Sequence, residues 1–344
     1  MTGTEPKKNS EVRQRPTENE ADSLRLVQPE FRKEIAASLG LVPRVSQATL
    51  GEFRAAMEQW NAPILESVPV ERRVILGADH NDITVYVINA KPGTSRPAIL
   101  HTHGGGFVGG AARFDIRIQQ EIAAELDCVS VTVEYRLAPE TTWRGSVADN
   151  YAALRWLHRN AAEFGADASR IALLGESAGG GHAALLAIEA RNRREVPIVL
   201  QCLIYPMLDD RTGSSRKVPP GIGTMIWGAT SNRFGWGAFL GMPPGGPDVP
   251  PAAVPARVIN LAGLPPTFIG VGALDLFVEE DLVYAQRLIS AGVPTEMHVV
   301  LGAPHGFDGF APDAPITRHF NKLKLDAFRR AFGNSDERLP APMR

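Results

Sequence analysis

Gly175-Glu176-Ser177-Ala178-Gly179 follows the apolar run Ile171-Ala172-Leu173-Leu174 and leads into Gly180-Gly181-His182-Ala183-Ala184-Leu185-Leu186. A buried run that ends in G-x-S-x-G and opens into a helix-forming segment reads as strand, sharp turn, helix. At such a turn the serine is held in a strained backbone conformation. Glycine is required two residues either side, because side chains there would collide with the strand or the helix. The hydroxyl is left at a helix N-terminus, where unpaired N–H groups and the helix dipole favour negative charge. In a chain with 33 glycines the pentapeptide also arises by accident, so the rest of the sequence must supply a proton acceptor, an orienting acid and oxyanion donors.

Working outward, short apolar runs alternate with helix-length segments. The runs are Ala98–Leu100, Val129–Val133, Ile171–Leu174, Ile198–Leu200 with Leu203-Ile204, Thr267–Val271 and Met297–Val300. Between them lie helical patterns over Ile116–Leu126, Tyr151–Ala162 and Leu282–Ala291. This alternation predicts an α/β fold with a largely parallel sheet covered by helices on both faces, and sites at the carboxyl ends of its strands. Upstream, Arg73–Leu76 and Ile83–Val87 flank the turn Asp79-His80-Asn81 and predict a hairpin. Two amphipathic helices precede it. One carries Phe31, Ile35 and Leu39 between Pro29 and Gly40; the other carries Leu50, Phe53, Met57 and Trp60 on one face.

One segment interrupts the alternation. From Asp210 to about Pro255 the chain is rich in Pro and Gly yet holds Met225, Trp227, Phe234, Trp236 and Phe239. A long insertion with so many large apolar residues predicts a cap over the strand ends. Its aromatic residues are expected either to line an apolar substrate pocket or to pack the cap onto the body. The expected organisation is a disordered tail at 1–22, N-terminal cap helices at 23–62, and a catalytic domain at 63–344 with the cap insertion at about 210–255.

Bulk properties narrow the function. With 36 basic and 38 acidic residues the formal net charge is −2, which argues against a nucleic-acid partner. The two cysteines, Cys128 and Cys202, sit in apolar runs without metal or disulfide spacing. The first 20 residues lack the apolar core of a secretory signal, and no run approaches the roughly 20 apolar residues of a membrane span. A cytoplasmic protein with no membrane partner, no metal and no cofactor is expected.

The chemistry lies in three further stretches. His101-Thr102-His103-Gly104-Gly105-Gly106-Phe107 follows the Ala98–Leu100 run, and consecutive glycines there let backbone N–H groups turn toward a ligand. Among eight histidines, His305 is distinguished by its loop, Ala303-Pro304-His305-Gly306-Phe307, just past the last strand. Asp275 ends Gly270-Val271-Gly272-Ala273-Leu274-Asp275 past the preceding strand. Glu279, Glu280 and Asp281 open the next helix and read as first-turn acids favoured by its dipole. The resulting chain order is Ser177, Asp275, His305, a nucleophile, acid and base in the order found in α/β-hydrolases.

These motifs, with Glu134-Tyr135-Arg136-Leu137-Ala138-Pro139-Glu140 and Tyr205-Pro206, closely resemble the hormone-sensitive-lipase-like branch of α/β-hydrolases, the bacterial family IV esterases. They occur in family order from about residue 70 onward. The resemblance implies an α/β-hydrolase fold and an acyl-enzyme mechanism on carboxylic esters of short to medium chain. It implies an oxyanion hole of Gly105, Gly106 and Ala178, with His103 shaping that loop rather than acting as base. His103 and Phe107 join the cap residues as expected substrate neighbours, the substrate is a small-molecule ester, and a homodimer is weakly favoured. The chain departs from the family at Glu176 in the elbow, at Leu276-Phe277-Val278 after the acid, and at Thr141-Thr142-Trp143-Arg144. Two other readings compete. Gly104–Gly109 matches G-x-G-x-x-G, which would suit a nucleotide-cofactor oxidoreductase with Glu134 on the ribose, but this leaves Ser177, Asp275 and His305 unexplained. A ligand-binding protein on the same scaffold, as the plant gibberellin receptor resembles this family, would dispense with the base; here His305 is intact.

Overall fold

The computed structural model describes residues 22–333. Its centre is an eight-stranded sheet in the order β1-β2-β4-β3-β5-β6-β7-β8. The hairpin β1 (Val70–Leu76) and β2 (Asp82–Ile88) is antiparallel, turning at His80 with φ 60°, and β2 runs antiparallel to β4 (Val129–Glu134). From β4 outward the strands are parallel: β3 (Arg96–Thr102), β5 (Ala166–Glu176), β6 (Ile198–Ile204), β7 (Thr267–Gly272) and β8 (Thr295–Val300). The central strands are buried on both faces, as a parallel sheet between helices requires, so their residues read as unbroken apolar runs.

Helices cover the two faces with separate cores. On one side lie α4 (Trp143–Asn160), α5 (Ala178–Arg193) and α7 (Val278–Ser290), placing Leu154, Leu157, Leu186 and Tyr284 against Val131, Leu173 and Ile269. On the other lie α3 (Ile116–Glu125), the short α8 (Phe307–Phe310) and α9 (Pro315–Phe332), with Ile122, Phe307, Phe320 and Phe328 in one cluster with Ile99, Leu174 and Phe268.

The two N-terminal helices divide between these layers. In α1 (Arg32–Ser38) and its flanks, Phe31, Ile35 and Leu39 join the core beneath the sheet, where Phe31 meets Phe307 at 6.3 Å. By contrast α2 (Leu50–Met57) packs Leu50, Phe53 and Met57 into a third cluster with the insertion's Trp227, Trp236, Phe239 and Leu240. Trp60 departs from the expected stripe: a 3-10 turn at Glu58–Trp60 rotates it outward to 38% exposure, against Phe310. The insertion holds α6 (Ala229–Leu240) and two 3-10 turns, Pro251–Ala253 and Pro255–Arg257, joined by irregular chain. The expected tail falls almost wholly outside the described residues.

The turn after β5 shows why its glycines are needed. A Cβ on Gly175 would lie 2.3 Å from the Gly179 carbonyl oxygen, and one on Gly179 would lie 1.9 Å from that of Thr102. Both obstacles are backbone, so nothing flexible can yield. Gly179→Ala should therefore destabilise the fold by at least about 2 kcal/mol, through overpacking at a site that cannot relax. Urea denaturation measures this, and an unchanged midpoint would contradict it.

Candidate active site

The site is built at the carboxyl ends of β3, β5, β7 and β8. Ser177 follows β5 with φ 57° and ψ −120°, the strained geometry expected of an elbow. Its N–H donates to the Ile204 carbonyl at 2.9 Å, and its own carbonyl accepts from Gly181 and Met207 at 3.1 and 2.9 Å. The hydroxyl is thus aimed by backbone bonds on both sides of the residue. Ser177 Oγ lies 2.9 Å from His305 Nε2, and His305 Nδ1 lies 2.8 Å from Asp275 Oδ2. The other carboxylate oxygen of Asp275 accepts the Phe277 N–H at 3.0 Å, and Phe277 sets its ring edge-on to the imidazole at 5.2 Å. All three polar residues are at most 7% exposed. These groups, separated by up to 128 residues in sequence, are brought into one hydrogen-bonded line.

Beside this line lies the glycine loop. Gly105 and Gly106 have φ values of 123° and 62°, which favour glycine, and a Cβ on Gly104 would approach the Glu176 carbonyl oxygen at 3.2 Å. Among the described residues, the N–H groups of Gly105, Gly106 and Ala178 donate to no protein acceptor. Three unpaired donors beside the Ser177 hydroxyl are an arrangement that can receive a developing oxyanion.

His103 supports the loop. Its Nδ1–H donates to the Gly104 carbonyl at 2.8 Å, and its ring stacks on Tyr135 at 4.1 Å. Tyr135 Oη in turn donates to the His103 carbonyl at 2.7 Å. Burial pushes His103 down to about 4, so it is neutral at physiological pH. His182, read from sequence only as a helix residue, is buried beside Tyr135 and Phe107 and is pushed down to about 3, again by burial.

The cap residues separate into two groups. Phe107, Trp236 and Phe239 form a closed stack, with Phe107 on Phe239 at 4.0 Å and on Trp236 at 5.0 Å, all at most 1% exposed. They pack the cap onto the body. Met225 is buried with Tyr205 and Phe307, and Phe234 is half-buried at the cap cluster's margin. Trp227 lies directly on the glycine loop: a Cβ on Gly106 would meet its ring at 2.1 Å. Trp227 Nε1 donates to Asn232 Oδ1 at 3.2 Å, and Asn232 Nδ2 donates to the Thr212 carbonyl at 2.8 Å.

Several contributors escaped sequence reasoning. Arg54 of α2 forks onto Glu140 at 2.7 Å through each nitrogen while donating to the Val108 and Ala138 carbonyls, so the N-terminal helix braces the far end of the glycine loop. A Cβ on Gly109 would strike Phe53 at 2.6 Å, which places the same helix against that loop. Glu280 and Asp281 open α7 as expected, but not as solvated charges. Both are buried, Glu280 accepts the Leu208 and Asp209 N–H groups, and burial holds both carboxyls well above the usual range. Glu280 thus satisfies buried backbone rather than offering charge to the helix dipole, whereas both carboxyl oxygens of Asp281 are buried without a hydrogen-bond partner.

Glu176, the unusual elbow residue, also has a partner that its position in sequence does not reveal. Its carboxylate meets His101 Nε2 at 2.8 Å, and His101 Nδ1 meets Thr132 Oγ1 at 2.8 Å. Burial alone would lower His101 and raise Glu176, but their mutual charge and hydrogen bond outweigh it, so His101 is raised and Glu176 lowered.

The sequence profile of the α/β-hydrolase fold family matches residues 99–309. The chain belongs to that family, in its hormone-sensitive-lipase-like branch. It is 36% identical over 237 residues to esterase LipI of Mycobacterium tuberculosis, covering 68% of this chain and 72% of that protein. It is 32% identical over 289 residues to carboxylesterase NlhH of the same organism, covering 81% and 88%. Among solved structures it is similar to a bacterial heroin esterase, with a TM-score of 0.81 and 34% identity over 91% of this chain and 100% of that one. Esterase LipW from Mycobacterium marinum gives a TM-score of 0.80 and 32% identity, with 90% and 98% covered.

The His101–Glu176 pair generates a pH prediction. The lowered Glu176 stabilises the fold above its ordinary value of 4.5 and loses that contribution as pH falls through its lower folded value. The raised His101 contributes fully below its ordinary 6.5 and loses its share as pH rises through its higher folded value. Glu176→Gln should therefore cost about 1–3 kcal/mol at a pH between those ordinary values, and the deficit should shrink toward pH 9. Urea unfolding at both pH values tests this; a deficit independent of pH would refute the coupling.

Proposed function

We propose that Ser177 is the nucleophile, His305 the general base and acid, and Asp275 the orienting carboxylate of a serine carboxylesterase. The activity is carboxylic ester hydrolysis. The observation that carries the role assignment is the line Ser177 Oγ–His305 Nε2, His305 Nδ1–Asp275 Oδ2, lying beside unpaired N–H groups of Gly105, Gly106 and Ala178.

In this reading His305 Nε2 accepts the serine proton as Oγ attacks the ester carbonyl carbon, and Asp275 stabilises the imidazolium through Nδ1–H. The tetrahedral oxyanion settles on the three N–H groups, each of which contributes about 100- to 1000-fold in rate. His305 then protonates the departing alcohol oxygen and the acyl-enzyme forms. Water, deprotonated by His305, attacks the acyl carbon, and the acid leaves as Ser177 regains its proton.

The proposed substrate is a small-molecule ester of short to medium acyl length. Ser177 is only 7% exposed, and Trp227, held by Asn232, covers the oxyanion loop, which leaves little room for a long chain. We take Trp227 as a pocket wall, with Met225 and Phe234 behind it, and the assembly as a homodimer. No described helix is long and apolar enough to cross a membrane. The buried free thiols Cys128 and Cys202 suit a reducing compartment, and on that ground the reading assigns the enzyme to the cytoplasm.

Two measurements test the proposal. Ser177→Ala should lower kcat on p-nitrophenyl esters by about a million-fold, and near-normal turnover would overturn the nucleophile assignment. Wild-type rates should peak at short to medium acyl chains, and Trp227→Ala should shift the peak to longer ones. A variant profile superimposable on the wild type would remove Trp227 from the pocket.

A further inference from the structure

The last residues of β6 and the turn after it touch both reacting side chains. Ile204 accepts the Ser177 N–H and Met207 donates to the Ser177 carbonyl, so the segment brackets the nucleophile's backbone. Tyr205 lies between them. Its N–H donates to the Gly270 carbonyl at 2.6 Å, tying it to the end of β7, the strand that leads to Asp275. Its ring packs at a steep angle against the His305 imidazole, with centroids 4.8 Å apart. Its hydroxyl donates to Asp308 Oδ1 at 2.7 Å, three residues beyond His305 in the short helix Phe307–Phe310. The other oxygen of Asp308 faces buried Lys324 of α9 at 4.0 Å.

Tyr205 adopts φ 37°, a left-handed conformation that a tyrosine enters only at a cost of about 1–3 kcal/mol. Glycine would fill that backbone position without strain. A bulky residue kept there against its conformational preference points to a use for the side chain, and the surroundings supply one.

We infer that Tyr205 is a positioning residue for His305. It sets the base at its distance from Ser177 by resting one ring on the imidazole and pinning the histidine loop through Asp308. Ser177 and His305 are otherwise carried on elements far apart in sequence, and this one residue joins the backbone segment that holds the first to the loop that carries the second. Phe277 sets a second ring edge-on to the same imidazole, so two aromatic rings pack against it. Tyr205 touches no reacting atom of the substrate in this scheme; it acts through His305. The inference rests on the proposed roles of Ser177 and His305.

The test uses the full chain with Tyr205→Phe and Tyr205→Leu, assayed on p-nitrophenyl butyrate from pH 5 to 9 beside wild type and Ser177→Ala. Tyr205→Phe keeps the ring and loses the pin. Its kcat should fall about tenfold with KM within about twofold. Tyr205→Leu loses the ring as well, and its kcat should fall about 100-fold, the size expected for a base displaced by about an ångström. A residue that merely stabilised the fold would lower the melting temperature and leave kcat unmoved, which would overturn the inference. If the leucine variant does not fold, the phenylalanine variant decides: kcat within twofold of wild type refutes the pin. Wild-type activity that survives in Ser177→Ala would instead overturn the underlying functional reading, a separate outcome from any behaviour of Tyr205.

Discussion

The backbone of Ser177 is the constraint on which the site depends. A non-glycine residue at φ 57° and ψ −120° is unfavourable in isolation, and it persists because its N–H and C=O are both bonded to the Ile204–Met207 segment and to α5. That bonding requires three stretches of main chain to approach within van der Waals contact. Gly175 and Gly179 permit it on the elbow's own side, and Gly104 permits it on the side of the oxyanion loop. Once the elbow is formed, the helix N-terminus, the loop of unpaired N–H groups and the end of β6 all have fixed places relative to one oxygen atom.

Electrostatically, the site keeps its charges few and paired. His103 and His182 are buried and neutral, so neither competes with His305 as a base at physiological pH. Glu280 and Asp281 are held well above the usual carboxyl range by burial, which leaves Asp275 as the acid hydrogen-bonded to the imidazole. The one charged pair inside the elbow, His101 with Glu176, compensates itself. The His305 ring thus lies hydrogen-bonded between Ser177 and Asp275 in a buried site, where an oriented donor or acceptor is worth more than in bulk solvent.

Legibility in the sequence followed the range of the interactions. Backbone-driven features were plain: the alternation of apolar runs predicted the parallel sheet, and Gly175–Gly179, Asp275 and His305 each fell at the end of a strand, where loops of such sheets converge. Family resemblance named the oxyanion loop. What the sequence hid was pairing between distant side chains. Nothing local to Arg54 says that it reaches Glu140, and nothing local to Glu176 says that its partner is His101. Aromatic residues in the cap were readable as large and apolar but not as wall or filler. Phe107, Trp236 and Phe239 became filler because they stack on one another, whereas Trp227 is turned by its bond to Asn232 onto the glycine loop. Trp60 left its helical stripe because the last turn tightens to 3-10 geometry.

The spread of the site along the chain has a bearing on its synthesis. Phe53 and Arg54 brace the glycine loop from near the beginning, Trp227 covers it from the middle, and His305 arrives 128 residues after the serine. Contacts of such long sequence separation form late in folding, after loop-closure entropy has been overcome. A nascent chain that has emerged only as far as the elbow therefore carries the serine without its base. On the proposed roles, ester hydrolysis begins only when the sheet closes on β8 and the histidine loop docks, so the appearance of activity would report completion of the fold.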